Sequence, residues 1–108
     1  MNVTSMDFET ANYSRLSICA AGMALFEDGE LVESRYWLVR PPKGRDRFWK
    51  LFTACHRLTW YHVQNEPEFT AIAPEFLEHL TRADIVIAHK ADFDMRMLQG
   101  TLQHFGLA

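Results

Sequence analysis

Two carboxylates stand one residue apart near the start of this chain, Asp7 and Glu9, inside Val3-Thr4-Ser5-Met6-Asp7-Phe8-Glu9-Thr10. The alternation predicts a strand with Met6 and Phe8 on one face and Val3, Ser5, Asp7 and Glu9 on the other. Residues i and i+2 of a strand point the same way, about 6.6 Å apart. That spacing lets two carboxylates reach one pair of divalent cations lying roughly 3.5–4 Å apart. Like charges this close repel, and a cation or counter-ion relieves them. Solvated edge strands carry similar pairs, so Asp-x-Glu alone does not define a metal site.

A second acidic cluster, His89-Lys90-Ala91-Asp92-Phe93-Asp94, follows the apolar run Ala83-Asp84-Ile85-Val86-Ile87-Ala88. Ligand sites in open sheets gather beyond the carboxyl ends of strands. If this run lies beside the first strand, Asp94 reaches the same sheet edge as Asp7 and Glu9. Asp92 reads as the N-cap of a helix, and Asp94 as a first-turn carboxylate favoured by the helix dipole.

The elements that must position these groups follow from periodicity and punctuation. Val3 to Phe8 reads as a strand. Ser17 to Phe26 is small and apolar, a second strand buried on both faces for much of its length. Asp28-Gly29 separates it from a third, Leu31 to Val39, and marks a hairpin. Pro41-Pro42 ends the third strand. Residues 41–68 read as an irregular middle. Within it, the basic stretch from Pro41 to Lys50 reads as a solvated loop anchored by Phe48 and Trp49, in preference to a nucleic-acid contact loop. Thr70 to Arg82 reads as a helix with Thr70 as N-cap, Pro74 near its first turn, and Ile72, Phe76, Leu77 and Leu80 on one stripe. The run from Ala83 to Ala88 reads as a central strand covered on both faces. A last helix runs from about Asp92 to His104, with Leu98, Leu102 and Phe105 inward and Gly106 at its C-terminal cap. The order β-β-β-α-β-α implies an α/β fold with a mixed sheet, its fourth strand parallel to the first.

Composition bounds the rest. With 108 residues, 48% of them hydrophobic, the chain reads as one domain with one core. A net charge of −3 excludes coating of nucleic acid by bulk electrostatics, so any such contact is local or metal-assisted. Cys19 and Cys55 fit neither a disulfide framework nor a zinc motif and read as small buried hydrophobes in a reducing compartment. No signal peptide is legible at the N-terminus, and no apolar run approaches the roughly 20 residues that span a bilayer. The expectation is a soluble, cytoplasmic protein with no membrane contact.

The motifs together carry a resemblance. Asp7-Phe8-Glu9-Thr10-Ala11 resembles the first motif of the DEDD-type (DnaQ-like) 3′–5′ exonucleases, the group containing the proofreading epsilon subunit of bacterial DNA polymerase III and RNase T. His89-Lys90-Ala91-Asp92-Phe93-Asp94 resembles their second motif, with Asp94 at the place of its final Asp. Cys55-His56-Arg57-Leu58-Thr59, then Val63, Pro67 and Phe69, resembles the family's stretch around a His-Gly-Ile-Thr core. The resemblance runs along essentially the whole chain, in order. It implies a ribonuclease-H-like fold, incomplete at its C-terminus, with residues 1–108 as the first two-thirds of a single exonuclease domain.

The resemblance further implies that Asp7, Glu9 and Asp94 are catalytic and hold two Mg²⁺ or Mn²⁺ ions through hard oxygen ligands. Phe8, Thr10, Ala11, Asn12 and His56 then approach the substrate, the 3′ end of single-stranded DNA or RNA, which is released as nucleoside monophosphates. His89 is expected to support the second motif by hydrogen bonding; His62, His79 and His104 read as surface or core histidines. The family pattern adds a C-terminal helix bearing a His, four residues, then an Asp: the general base and the fourth metal-binding carboxylate. The sequence reaches Ala108 before any such helix, so these residues alone are expected to be inactive, and to self-associate or take a completing segment through an uncovered sheet face. Lys90 and Arg57 depart from the family, which often has Asn and Gly there. A function of another class also suits the scaffold: a non-catalytic nucleic-acid-binding or protein-interaction module.

Overall fold

The computed structural model describes residues 1–88 and 90–106. Along the chain lie β1 (Asn2–Thr10), β2 (Ile18–Glu27), β3 (Glu30–Leu38), α1 (Lys50–His56), α2 (Trp60–Val63), α3 (Phe69–Thr81), β4 (Ile85–Ala88) and α4 (Ala91–His104). The strands form one mixed sheet in the order β3-β2-β1-β4. β1 pairs antiparallel with β2, and β2 with β3. The crossover through α3 returns β4 parallel to β1, matching Val3 with Ile85 and Ser5 with Ile87. At the β2–β3 turn Asp28 and Gly29 both take positive φ, 50° and 86°. That is the pattern of a tight primed turn, whose twist suits the flanking strands.

Alternation along β1 sorts the sheet into two faces. Thr4, Met6 and Phe8 are buried. Phe8 stacks on Phe76 of α3, ring centroids 5.4 Å apart, and meets Phe69 edge-on at 6.4 Å. Ile18, Met23, Val39, Ile72, Met97, Leu98 and Leu102 complete this core. The opposite face carries Asp7, Tyr36, Ile85 and Ile87, all exposed. His79 sits in the core, where its carbonyl accepts a hydrogen bond from Thr4 Oγ1.

Five expectations are corrected. Cys19 is buried as expected, but Cys55 is exposed. β4 is not a central strand covered on both faces. Among the described residues it pairs only with β1, and Ile87 is 52% exposed. Its β-branched composition records a fitness for pairing and burial, but composition cannot say whether a neighbour supplies either. α3 is capped by Glu68, with no side-chain hydrogen bond, not by Thr70. α4 is capped by Lys90, which moves Asp92 from the cap into the first turn beside Asp94. The irregular middle holds two short helices, α1 and α2, whose few turns give too little periodicity to read. The expected support by His89 falls outside the described residues.

α1 ends on Arg57 in the left-handed conformation, φ 62°, its N–H bonded to the Thr53 carbonyl at 2.7 Å. A side chain in that region costs about 1–2 kcal/mol. Glycine avoids the strain, which explains why it suits this position. Substituting Arg57→Gly should therefore stabilise the chain by roughly 0.5–1 kcal/mol, the relieved strain less the greater unfolded-state entropy of glycine. Urea unfolding of the two proteins side by side measures the difference.

Candidate active site

β1 delivers the first two carboxylates. With Phe8 held in the core, Asp7 and Glu9 must both leave the opposite face, because neighbours along a strand point to opposite sides. At Glu9 the pairing with β2 slips: Glu9 faces Ala20 and Thr10 faces Ile18, leaving Cys19 as the extra residue. Such a bulge bends and twists the strand locally and re-aims side chains beside it. The third carboxylate comes from α4. Asp94 lies in its first turn, 1% exposed.

These groups line one cavity of about 360 Å³, with Phe8, Thr10, Leu51, Phe52, Cys55, His56, Lys90 and Phe93. Of the residues singled out in the sequence, Asp7, Phe8, Glu9, Thr10, His56 and Asp94 share it. Ala11 and Asn12 do not. Ala11 is wholly buried, its N–H donated to the Ser17 carbonyl and its own carbonyl accepting from Trp49 N–H at 3.0 Å. The Asn12 amide donates to the carbonyls of Arg45 and Arg47 at 3.1 and 2.8 Å. Both residues hold the loop beside the cavity in place, so their backbone and side-chain polar groups are already engaged within the protein.

His56 is tied at both ring nitrogens. Leu58 N–H donates to Nδ1 at 2.9 Å, and Nε2 lies 2.8 Å from the Thr10 carbonyl. Since Nδ1 accepts, the proton sits on Nε2 and is donated to Thr10. The ring is a strut between α1 and the end of β1.

The field inside the cavity is acidic. Burial pushes the Glu9 carboxyl above its ordinary range; Asp7 and Asp94 push it further, and His56 opposes them. Burial, then Glu9, pushes the Cys19 thiol up to about 12. Burial raises the Tyr36 hydroxyl, with Cys19, Glu9 and Asp7 adding to it. Among the described residues Lys90 is the one cation on the cavity wall, and it joins no ion pair there.

Three carboxylates that repel one another form a hard-oxygen donor set suited to Mg²⁺ or Mn²⁺. Among the described residues, though, no three His, Cys, Asp or Glu side chains are gathered tightly enough to hold an ion as they stand. Leu51 and Phe52 are wall residues that the sequence does not single out, while Cys55, Lys90 and Phe93 lie inside the quoted motifs without an expected role at the site. Phe52 and Phe93 lie within one position of a motif residue or on the first turn of a helix, yet nothing in their spacing distinguishes them from core aromatics.

Comparison with known proteins bears on the fold and on what the chain resembles. No family model matches the chain. It is 29% identical over 96 residues to the PolC-type DNA polymerase III of Thermotoga petrophila and 28% identical to that of Thermotoga maritima. Each alignment covers 87% of this chain but only 7% of the polymerase, so the chain spans a small fraction of the relatives it matches. Exonuclease X, solved with 5′-overhanging duplex DNA, superposes with a TM-score of 0.73 at 25% identity, covering 88% of this chain and 52% of that one. The nuclease domain of 3′hExo, a DEDDh family member bound to rAMP, superposes at 0.78 with 13% identity, over 99% of this chain and 60% of its own. Cell-death related nuclease 4 gives 0.74 at 14% identity, over 94% and 39%. At those two identities the likeness speaks for the fold. The fold is the ribonuclease-H-like α/β fold with a mixed sheet. On it, the chain resembles the DEDD-type 3′–5′ exonucleases, and the comparisons do not favour a non-catalytic module.

Because its folded-state carboxyl is raised, Glu9 takes up a proton more readily folded than unfolded. Its contribution to stability is full below the ordinary glutamate range and is lost as pH rises through the raised value. Glu9→Gln should therefore raise the thermal midpoint at pH 7 in metal-free buffer, and the advantage should vanish near pH 4. Differential scanning calorimetry at the two pH values measures it.

Proposed function

We propose that residues 1–108 are part of a metal-dependent 3′–5′ exonuclease domain that releases nucleoside monophosphates from the 3′ end of single-stranded DNA or RNA. In this reading Asp7, Glu9 and Asp94 hold two divalent cations, Mg²⁺ or Mn²⁺. One observation carries it: carboxylates from the first strand and from α4, distant in sequence, line the same cavity. Bound cations would supply Lewis acidity and lower the pKa of a bound water. The chain itself supplies position. Phe8 anchors the strand between the two carboxylates, and His56 fixes the carbonyl of Thr10 at the cavity wall. Leu51, Phe52 and Phe93 give that wall an apolar side for a terminal nucleoside, while Lys90 offers a cation to its phosphate. The His and Asp that complete the site in the resembling family are not among these residues. A missing general base costs ~10²–10⁴ in rate, so this segment by itself should hydrolyse at background.

Two free cysteines suit a reducing, cytoplasmic setting. Among the described residues, no helix is long and apolar enough to cross a membrane.

The metal reading is tested by calorimetric titration with Mn²⁺. Wild type should bind, and Asp7→Ala and Asp94→Ala should each weaken binding at least about tenfold. No heat of binding, or a heat indifferent to both substitutions, ends the proposal.

The partner reading concerns the open sheet. Ile85-Val86-Ile87-Ala88 has no charge or proline to guard its edge, and Ile85 and Ile87 are exposed on the same face as Asp7. Such an edge is a ready template for pairing. We propose that two copies meet through β4. Sedimentation velocity should find concentration-dependent dimers that Ile87→Lys abolishes; a monomer at every concentration refutes this.

A further inference from the structure

Beside the cavity stands an aromatic cluster that the proposed chemistry does not use. Tyr13 lies 5.3 Å from Trp49 and 4.8 Å from Phe52, each edge to face, and Trp49 lies 6.4 Å from Phe52. Phe52 is half-buried and also lines the cavity, so the cluster is continuous with the carboxylate site. The two outer rings are open to solvent: Tyr13 is 68% exposed and Trp49 45%. Large aromatic rings left in water at the mouth of a site are unusual unless something covers them.

The segment carrying Trp49 is also the most basic part of an acidic chain. Lys43, Arg45, Arg47 and Lys50 surround one carboxylate, Asp46, whereas the whole protein has net charge −3. Among the described residues none of these four cations joins an ion pair. The segment is held to the site: Asn12 binds the Arg45 and Arg47 carbonyls, and Trp49 N–H donates to Ala11. The rings are therefore presented by an anchored loop next to β1, with unpaired cations along the approach.

We propose that Tyr13 and Trp49 form a stacking platform for unpaired bases of the strand whose end enters the cavity, with Lys43, Arg45, Arg47 and Lys50 following its phosphates. This rests on the exonuclease reading and deepens it, because it selects single strands. Bases offer both π-faces only when unpaired, and aromatic stacking with a cationic track is how single strands are held without sequence preference. In a blunt duplex the internal base faces are covered by their neighbours, so the platform has nothing to take. The sugar plays no part in stacking, so DNA and RNA strands of one sequence should depend on the platform alike.

The test is fluorescence anisotropy with a 5′-labelled single-stranded ten-mer, as DNA and as RNA, in Mn²⁺. Tyr13→Ala and Trp49→Ala should each weaken binding roughly 5- to 100-fold. Calorimetric Mn²⁺ binding should be unchanged in both variants. Removing the bases of the second to fourth nucleotides from the 3′ end should weaken wild type by a similar factor. The same abasic strand should bind Trp49→Ala no worse than the intact strand does. That last comparison separates stacking from loop anchoring, since a misfolded loop would lose affinity for both strands equally. Wild type indifferent to the abasic sites, or intact strands binding wild type and Trp49→Ala alike, overturns the platform. Failure of Mn²⁺ binding with base-dependent affinity intact would overturn the exonuclease reading and leave the platform standing.

Discussion

Phe8 against Phe76 is the contact on which the arrangement depends. The rings stack 5.4 Å apart, with Phe69 closing the edge. This fixes which way the end of β1 faces. With Phe8 pointed at α3, Asp7 and Glu9 must point to the other side, since a one-residue slip would exchange core and surface along the whole strand. Burying the aromatic ring therefore sets the position of two groups that repel each other. Burial first, and then repulsion from Asp7, raises the Glu9 carboxyl, and the core contact holds it in place. Natural proteins tolerate such local cost where a ligand is meant to relieve it.

A second layer of support surrounds that strand end. His56 bonds to the Thr10 carbonyl from α1. Ala11 and Asn12 reach across to the loop that precedes α1. Ser17 closes the turn after β1 by donating to the carbonyls of Asn12 and Ser14. The residues just after the acidic pair thus join β1 to the 41–56 region and hold the loop carrying Trp49 beside the cavity. A position next to a site can serve the substrate indirectly, by fixing what touches it.

Sheet and helices divide the two surfaces unequally. The Met6/Phe8 face is packed under α3 and α4. The Asp7 face is open, with Tyr36, Ile85 and Ile87 exposed on it. Asp7 and the exposed apolar residues of β4 share that side, so anything that covers this face of β4 also lies near the carboxylates.

Much of this was legible in residue order. Strict alternation in β1 gave both faces and the direction of the carboxylates; Asp28-Gly29 gave the hairpin; the stripe through Ile72 and Phe76 gave α3. These are local signals, because period and turn geometry act over a few residues. Convergence of Asp94 with Asp7 rests on the crossover and the parallel pairing of β4 with β1, which element order already implied and the fold bears out; that the three side chains line one cavity was decided by packing. The exposure of β4 was illegible for the same reason: Ile-Val-Ile-Ala reads as a covered strand, and burial belongs to neighbours, not to composition. The roles of Ala11 and Asn12 and the grouping of Tyr13, Trp49 and Phe52 were likewise decided by tertiary contacts. Sequence determined which groups this protein owns and how each strand and helix presents them. Tertiary structure decided which of them meet, because contact between distant segments depends on packing that no local pattern encodes.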